Sequence, residues 1–356
     1  MSFVCTVNNC RFAIQNSRGF SLVELMVAMT LSLMLLGGIV AIFSSSRASY
    51  ETTDRLSRIQ ENGRYALDQV VTDIRSAGFV GCARVPTYVS SSLNTATDVK
   101  WNFLDSSIRG YQFISTNSYS PTIAAADIPS AADNSDVLVV RRPKRDAQPL
   151  RLQADMGAGS ANLTVPNTTS SGLNADDIAL LYSCEAQAVF QVRSFSGGVI
   201  THAVGGGSAT APGNASGDVN FAFRRNAEVV PVETVIYYIR ASSTGAVGAT
   251  SLWRRIGANT PEELIEGVEQ MQLRFGVDTT GDSRVDTYVT ANSVTDWNAV
   301  YSVEVALLVR SLEEYGLDLD RETYQLLDAS IPAPNDRRMR EVFTATVGIR
   351  NRMRVN

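Results

Sequence analysis

The chain has 356 residues, 44% hydrophobic and 19% charged, with a formal net charge of −5 and a pI near 5.1. That balance excludes a polytopic membrane protein, and the acidic net charge argues against nucleic acid as a partner, because phosphate binding needs clustered Lys and Arg. Only Arg141 to Arg145 and Arg337 to Arg340 are basic clusters, and each is expected on a solvated face or loop.

In chain order, the first nineteen residues contain Arg11 and Arg18 and no acid, and they end in Gly19. From Phe20 to Phe43 the chain is apolar except for one carboxylate, Glu24, and at 1.5 Å per residue this run covers roughly 30 Å of hydrocarbon. Positive charge before the run predicts a cytoplasmic N-terminus. A cleaved secretory signal is the competing reading, but "AIFSSSRAS" is a poor cleavage site for one. An isolated acid inside such a run costs up to about 3 kcal/mol and asks for a cationic partner.

Beyond Phe43 the pattern stays helical. Leu56, Ile59, Gly63, Ala66, Leu67, Val70, Ile74 and Ala77 form a stripe at i, i+3, i+4 spacing, with Arg, Asp and Gln on the other faces. A single helix therefore carries a lipid-soluble half, 20–43, and an amphipathic half, 44–78, and Gly78 and Gly81 stop it. Residues 79–356 are rich in Ser, Thr, Asn and Gly, broken by short β-branched runs. "SDVLVV", "ANLTV", "DIALLYS", "AVFQVRSF", "VNFAFRR", "VETVIYYIR", "SLWRRI", "MQLRFGV", "TYVT", "YSVEVALLVRS" and "FTATVGIRNR" read as strands. "PEELIEGV" reads as a short helix starting at Pro261. The expected fold class is α+β, a long N-terminal helix packed on antiparallel sheet.

The cysteines fall on both sides of the apolar run, Cys5 and Cys10 before it and Cys82 and Cys184 after it. If the C-terminal part is extracytoplasmic, Cys82 and Cys184 form an even set in an oxidising compartment. A bridge would then close a loop of about 100 residues and stabilise by roughly 2–5 kcal/mol. Two buried free thiols are the competing reading. "VDTTGDSRVD" places Asp278, Thr280, Asp282 and Asp286 at positions 1, 3, 5 and 9 of a calcium-type loop. Ser283 replaces the expected glycine and Val289 the closing glutamate, so a plain acidic hairpin turn is the alternative. His202 is the sole histidine and is expected in a surface loop. With no P-loop, no nucleophile elbow and no zinc spacing, no catalytic site and no cofactor other than possible calcium are expected.

Gly19, Phe20 and "SLVEL" with Glu24 five residues past the glycine resemble the class III signal of type IV prepilins and pseudopilins. "IQENGRYALDQVVTDIRSAGFVGC", "PVETVIYYIR", "SLWRR", "ELIEGVEQMQLRFGVDTTGD" and "FTATVGIRNR" resemble, more narrowly, PilW-type minor pilins. The resemblance implies that residues 1–19 are a leader cut between Gly19 and Phe20 by a prepilin peptidase and N-methyltransferase, with methylation of the new amine of Phe20. It also implies an inner-membrane protein with one span and a periplasmic domain 79–356. Such a protein meets other minor pilins, the major pilin and an assembly platform in the lipid bilayer, and takes part in starting a fibre used in twitching motility and attachment. The new amine would lie close enough to Glu24 to form an ion pair that sets the stacking register of such helices. A type II secretion pseudopilin is the runner-up in the same class, and a monomeric membrane-anchored binding protein or adhesin is the reading from a different class.

Overall fold

The computed structural model describes Gly19 and residues 21–79, 88–168, 171–208, 210–244, 248–314 and 318–352. It divides into two compact units, Met1–Asp54 and Arg55–Asn356. Helix α1 runs over Leu22–Ser76 and contributes to both. In the first unit every residue from Leu22 to Tyr50 is exposed.

The second unit carries the strands. In its first half these are β1 (Tyr88–Ser91), β2 (Ile108–Ser115), β3 (Ser118–Ser120), β4 (Val137–Pro143), β5 (Leu150–Arg151), β6 (Asn162–Thr164), β7 (Ile178–Tyr182), β8 (Ala186–Gln191), β9 (Ser194–Ser196) and β10 (Val199–Thr201). There follow β11 (Glu228–Ala241), β12 (Thr250–Ile256), β13 (Glu262–Glu266), β14 (Val268–Val277), β15 (Thr287–Val289), β16 (Val300–Arg310), β17 (Tyr324–Leu326), β18 (Ala329–Ile331) and β19 (Arg340–Gly348). The largest sheet runs β1-β8-β7-β11-β4-β2-β3, with β12 and β5 also on β11 and β13 on β12. A second sheet has the order β15-β14-β16-β19. Among the described residues, the strand pairs are antiparallel except β1 with β8.

The 14-residue β11 organises the first sheet, because different stretches of it pair with β7, β4 and β12. Tyr238 stands opposite Trp253 across the β11–β12 pair, and both are buried. The main core lies where the Arg55–Ser76 stretch of α1 meets both sheets. Ile59, Ala66, Val70 and Ile74 pack with Leu138, Val140, Val235, Tyr237, Leu273, Phe275, Val303 and Leu307. The stripe expected from the sequence is the buried face, except that Leu56 is exposed and Leu67 only half-buried. Gly63 lets Phe343 of β19 lie directly on the helix backbone, and a Cβ there would overlap the ring. Gly78, at φ +73°, ends the helix in the left-handed conformation that glycine adopts without strain.

Four expectations are corrected here. Residues 262–266 form strand β13 rather than a helix, because the free edge of β12 supplies pairing partners and one turn of local propensity does not compete with a ladder. "VNFAFRR" is no strand. The Asp218 carboxylate accepts the amide of Asn220, which sits at φ 65°, and only an isolated bridge from Phe223 to Met156 remains. His202 is 0% exposed rather than in a surface loop, with its ring 4.5 Å from that of Phe190. The basic clusters are solvated or looped only in part: Arg145 and Arg337 are exposed, but Arg141 and Arg142 are buried in β4, and the Arg340 side chain, 1% exposed, meets Glu269, Asp320 and Asp336 at 2.6–3.0 Å.

Two predictions follow from this packing. Gly63→Leu drives a side chain into the Phe343 ring and should destabilise the second unit by about 1–3 kcal/mol, read as a lower denaturation midpoint. Burial pushes the His202 imidazole down to about 4, against a weaker opposing effect of its own backbone and the charge of Asp218. A histidine depressed in the folded state contributes stability above pH 6.5 that is lost as pH falls toward 4. His202→Phe should therefore flatten the loss of melting temperature between pH 6.5 and 4.5.

Candidate assembly site

The N-terminal segment of α1 is the candidate site, and local chemistry sets its start. Ser21 precedes the helix, and its Oγ accepts the Glu24 amide at 3.2 Å while its carbonyl accepts the amide of Leu25. This is half of a capping box, the S-x-x-E signature legible in "SLVE", and it leaves the Glu24 side chain exposed in the first helical turn. An acid is favoured there by the helix dipole. Gly19 lies just outside the helix and is exposed. Phe20, the expected site of methylation and the partner of Glu24, lies outside the described residues.

From Leu22 the helix presents an 18-residue window of mean hydropathy 2.4, none of it buried, long and apolar enough to cross a membrane. Leu22, Met26, Leu33, Leu36, Ile39 and Phe43 are all at least half exposed. At about 25 cal/mol per Å², such an array left in water opposes solubility, so the segment requires lipid or neighbouring helices of the same kind. Polar residues begin at Ser44, and Arg47 pairs with Glu51 one turn on, at 3.1 Å.

The other expected sites fall elsewhere. Cys184 is disulfide-bonded, and Cys82 lies outside the described residues. The loop 278–286 directs its carboxylates inward. Asp278 accepts the amides of Gly281 at 2.6 Å, Ser283 at 2.7 Å and Thr280 at 3.0 Å. Asp286 accepts the amide and hydroxyl of Thr279 at 2.7 and 2.8 Å, and Asp282 accepts the amide of Arg284. Burial raises the Asp278 carboxyl, but the surrounding amides outweigh it and hold it below the usual range; the Thr279 amide and hydroxyl do the same for Asp286. Among the described residues no group of three or more His, Cys, Asp or Glu side chains is placed to hold a metal ion.

Sequence reasoning missed what anchors the helix. Asp73, 1% exposed, forms an ion pair with Arg142, whose Nε lies 2.9 Å away, and accepts hydrogen bonds from Arg145 Nη2 at 2.9 Å and the Tyr237 hydroxyl at 2.6 Å. Arg142 in turn reaches Glu233 at 2.8 Å. Burial holds the Tyr237 hydroxyl far above its ordinary value, and the Asp73 charge adds to that, so it donates to Asp73 throughout the physiological range. No local signal in the sequence marked this anchor, because Arg142, Arg145 and Tyr237 lie far from Asp73 in the chain.

Two family models match the chain. Residues 14–40 match the prokaryotic N-terminal methylation motif, and residues 236–351 match the type IV pilus-assembly protein W family. The chain thus carries a PilW-like region and a prepilin-type methylation motif. The PilW-type region begins within β11 and ends just past β19, so it spans the second sheet and the strands bearing Tyr237 and Phe343. The methylation motif takes in Gly19, Phe20 and Glu24. Among solved structures, a type IV-like pilin from Thermus thermophilus is similar over 51% of this chain and 87% of its own, at 15% identity and a TM-score of 0.22. No curated protein matches the chain.

The self-satisfied loop yields a prediction. Asp278→Ala should lower the melting temperature by the same amount with and without millimolar calcium, because it removes amide acceptors. A shift of the unmodified protein on adding calcium would show instead that the loop opens around a cation.

Proposed function

We propose that this chain is a minor pilin that takes part in initiating type IV pilus assembly and is then carried in the fibre. The observation that carries the reading is one chain holding both the methylation motif at 14–40 and the PilW match at 236–351, joined through a helix that is exposed and apolar at its start. In this reading the leader 1–19 is removed between Gly19 and Phe20, Phe20 is N-methylated, and the helix anchors the subunit in the inner membrane with the second unit in the periplasm. Cys82 and Cys184 bridge there. Other minor pilins, the major pilin and the assembly platform are the partners, and twitching and attachment depend on the product.

Glu24 has the mechanical role. It is the lone carboxylate of the apolar run, placed one turn from the cleaved end, where a new amine can neutralise it. In a bundle of such helices a shift along the axis would separate amine from acid and leave each desolvated, at several kcal/mol. The pair therefore selects one stacking offset, while the apolar surface supplies adhesion without selecting any.

Intact mass of the protein recovered from cells should show loss of residues 1–19 and a gain of one methyl group. Glu24→Ala should be cleaved and methylated normally yet be depleted from sheared fibres at least tenfold. A deletion strain should lose surface pili while keeping secreted exoproteins; the opposite pattern favours the pseudopilin reading. Recovery of the uncleaved chain, absent from fibres, would favour a monomeric anchored protein.

A further inference from the structure

In the second unit, a cavity of about 590 Å³ is lined by Arg141, Arg352 and Ser107, with Phe103, Val189 and Val232 on its apolar walls. Its size suits a small organic molecule. Arg141 is 5% exposed, and its guanidinium donates only to backbone carbonyls, Ser106 at 2.6 Å and Val99 at 3.1 Å, leaving Nε buried without a partner. Arg352 donates to the carbonyls of Trp297 at 2.6 Å and Val300 at 2.8 Å and to Asn298 Oδ1 at 3.4 Å. Among the described residues neither guanidinium makes an ion pair. The Ser107 hydroxyl, also buried, has no partner.

Other charges around the cavity are already matched. Arg142 is held by Asp73 and Glu233, and Asp105 by Arg109. Two guanidinium charges that make no ion pair among the described residues therefore remain on one cavity. Burial draws both arginines down to about 10, against the opposing charges of Tyr111 and Asp105 for Arg141 and of Tyr301 and Asp296 for Arg352. An anion entering the cavity would relieve both, and guanidinium geometry suits a carboxylate. The aromatic and branched walls suit an apolar stem and would give a bare inorganic anion nothing to pack on.

We propose that this cavity binds an organic carboxylate, its oxygens toward Arg141, Arg352 and Ser107 and its apolar stem against Phe103, Val189 and Val232. This site uses no residue of the apolar helix and stands apart from fibre assembly.

The test is calorimetric titration of the full-length protein in a neutral non-ionic detergent with 3-phenylpropionate, octanoate, 3-phenylpropionamide and inorganic phosphate. At least one carboxylate should bind saturably and at least tenfold more tightly than the amide and the phosphate. Arg141→Gln and Arg352→Gln should each weaken that binding at least tenfold while a cooperative melt is retained. If Arg141→Gln does not fold, Arg352→Gln, on a less buried side chain, decides alone. Absence of saturable binding to both carboxylates up to about 10 mM overturns the proposal. So does equal binding of the amide, phosphate binding as tightly as carboxylate, or unchanged affinity in Arg352→Gln.

Discussion

The second unit depends on how one helix face meets two sheets, and Asp73 is the point at which that meeting is fixed. Apolar packing of Ile59, Ala66, Val70 and Ile74 supplies most of the driving force, but hydrophobic contact is not directional and tolerates rotation or sliding. A carboxylate carried into the interior does not. It needs Arg142, Arg145 and Tyr237 in place, and removing one partner of such a buried set costs on the order of 3–5 kcal/mol. The set joins α1 to β4 and β11, so the strands that share the main core also supply the partners for the charge.

Helix α1 thus performs two physically different tasks along its length. From Arg55 onward it is half of a protein core, with a glycine at 63 so that Phe343 can reach the backbone. Before that it is uniformly exposed and apolar, with a polar cap at Ser21 and a single acid at Glu24. The two lengths are stable in different solvents, water and sheet for one, lipid or sister helices for the other.

The polar chemistry of the second unit shows how the same residue types can be spent inside a fold or held open. The acids of the 278–286 loop bond to their own backbone and close a turn. Arg340 is surrounded by three carboxylates and ties the chain before β19 to β14. Arg141 and Arg352 differ, since their hydrogen bonds go to neutral carbonyl and amide oxygens and neither makes an ion pair among the described residues. The distinction lies in the partners and not in the residue.

The sequence by itself determined the long helix, its change of character near Ser44, the stop at Gly78 and most of the long strands, because each is written in local periodicity or in the steric freedom of one residue. It also displayed Gly19, Phe20 and Glu24 as a motif, since their spacing along one helix end is a local matter. Tertiary structure alone decided the rest. Residues 262–266 became a strand because β12 offered an edge, and Ile108–Ser115, with its uneven alternation, became β2 because β4 lay beside it. The fates of Asp73, Arg141, Arg142, Arg340 and His202 were likewise invisible, for a charged or polar side chain is buried or solvated according to groups distant in the chain. Periodicity reports which face of an element is apolar; it carries no information about the partner that makes burying a charge possible.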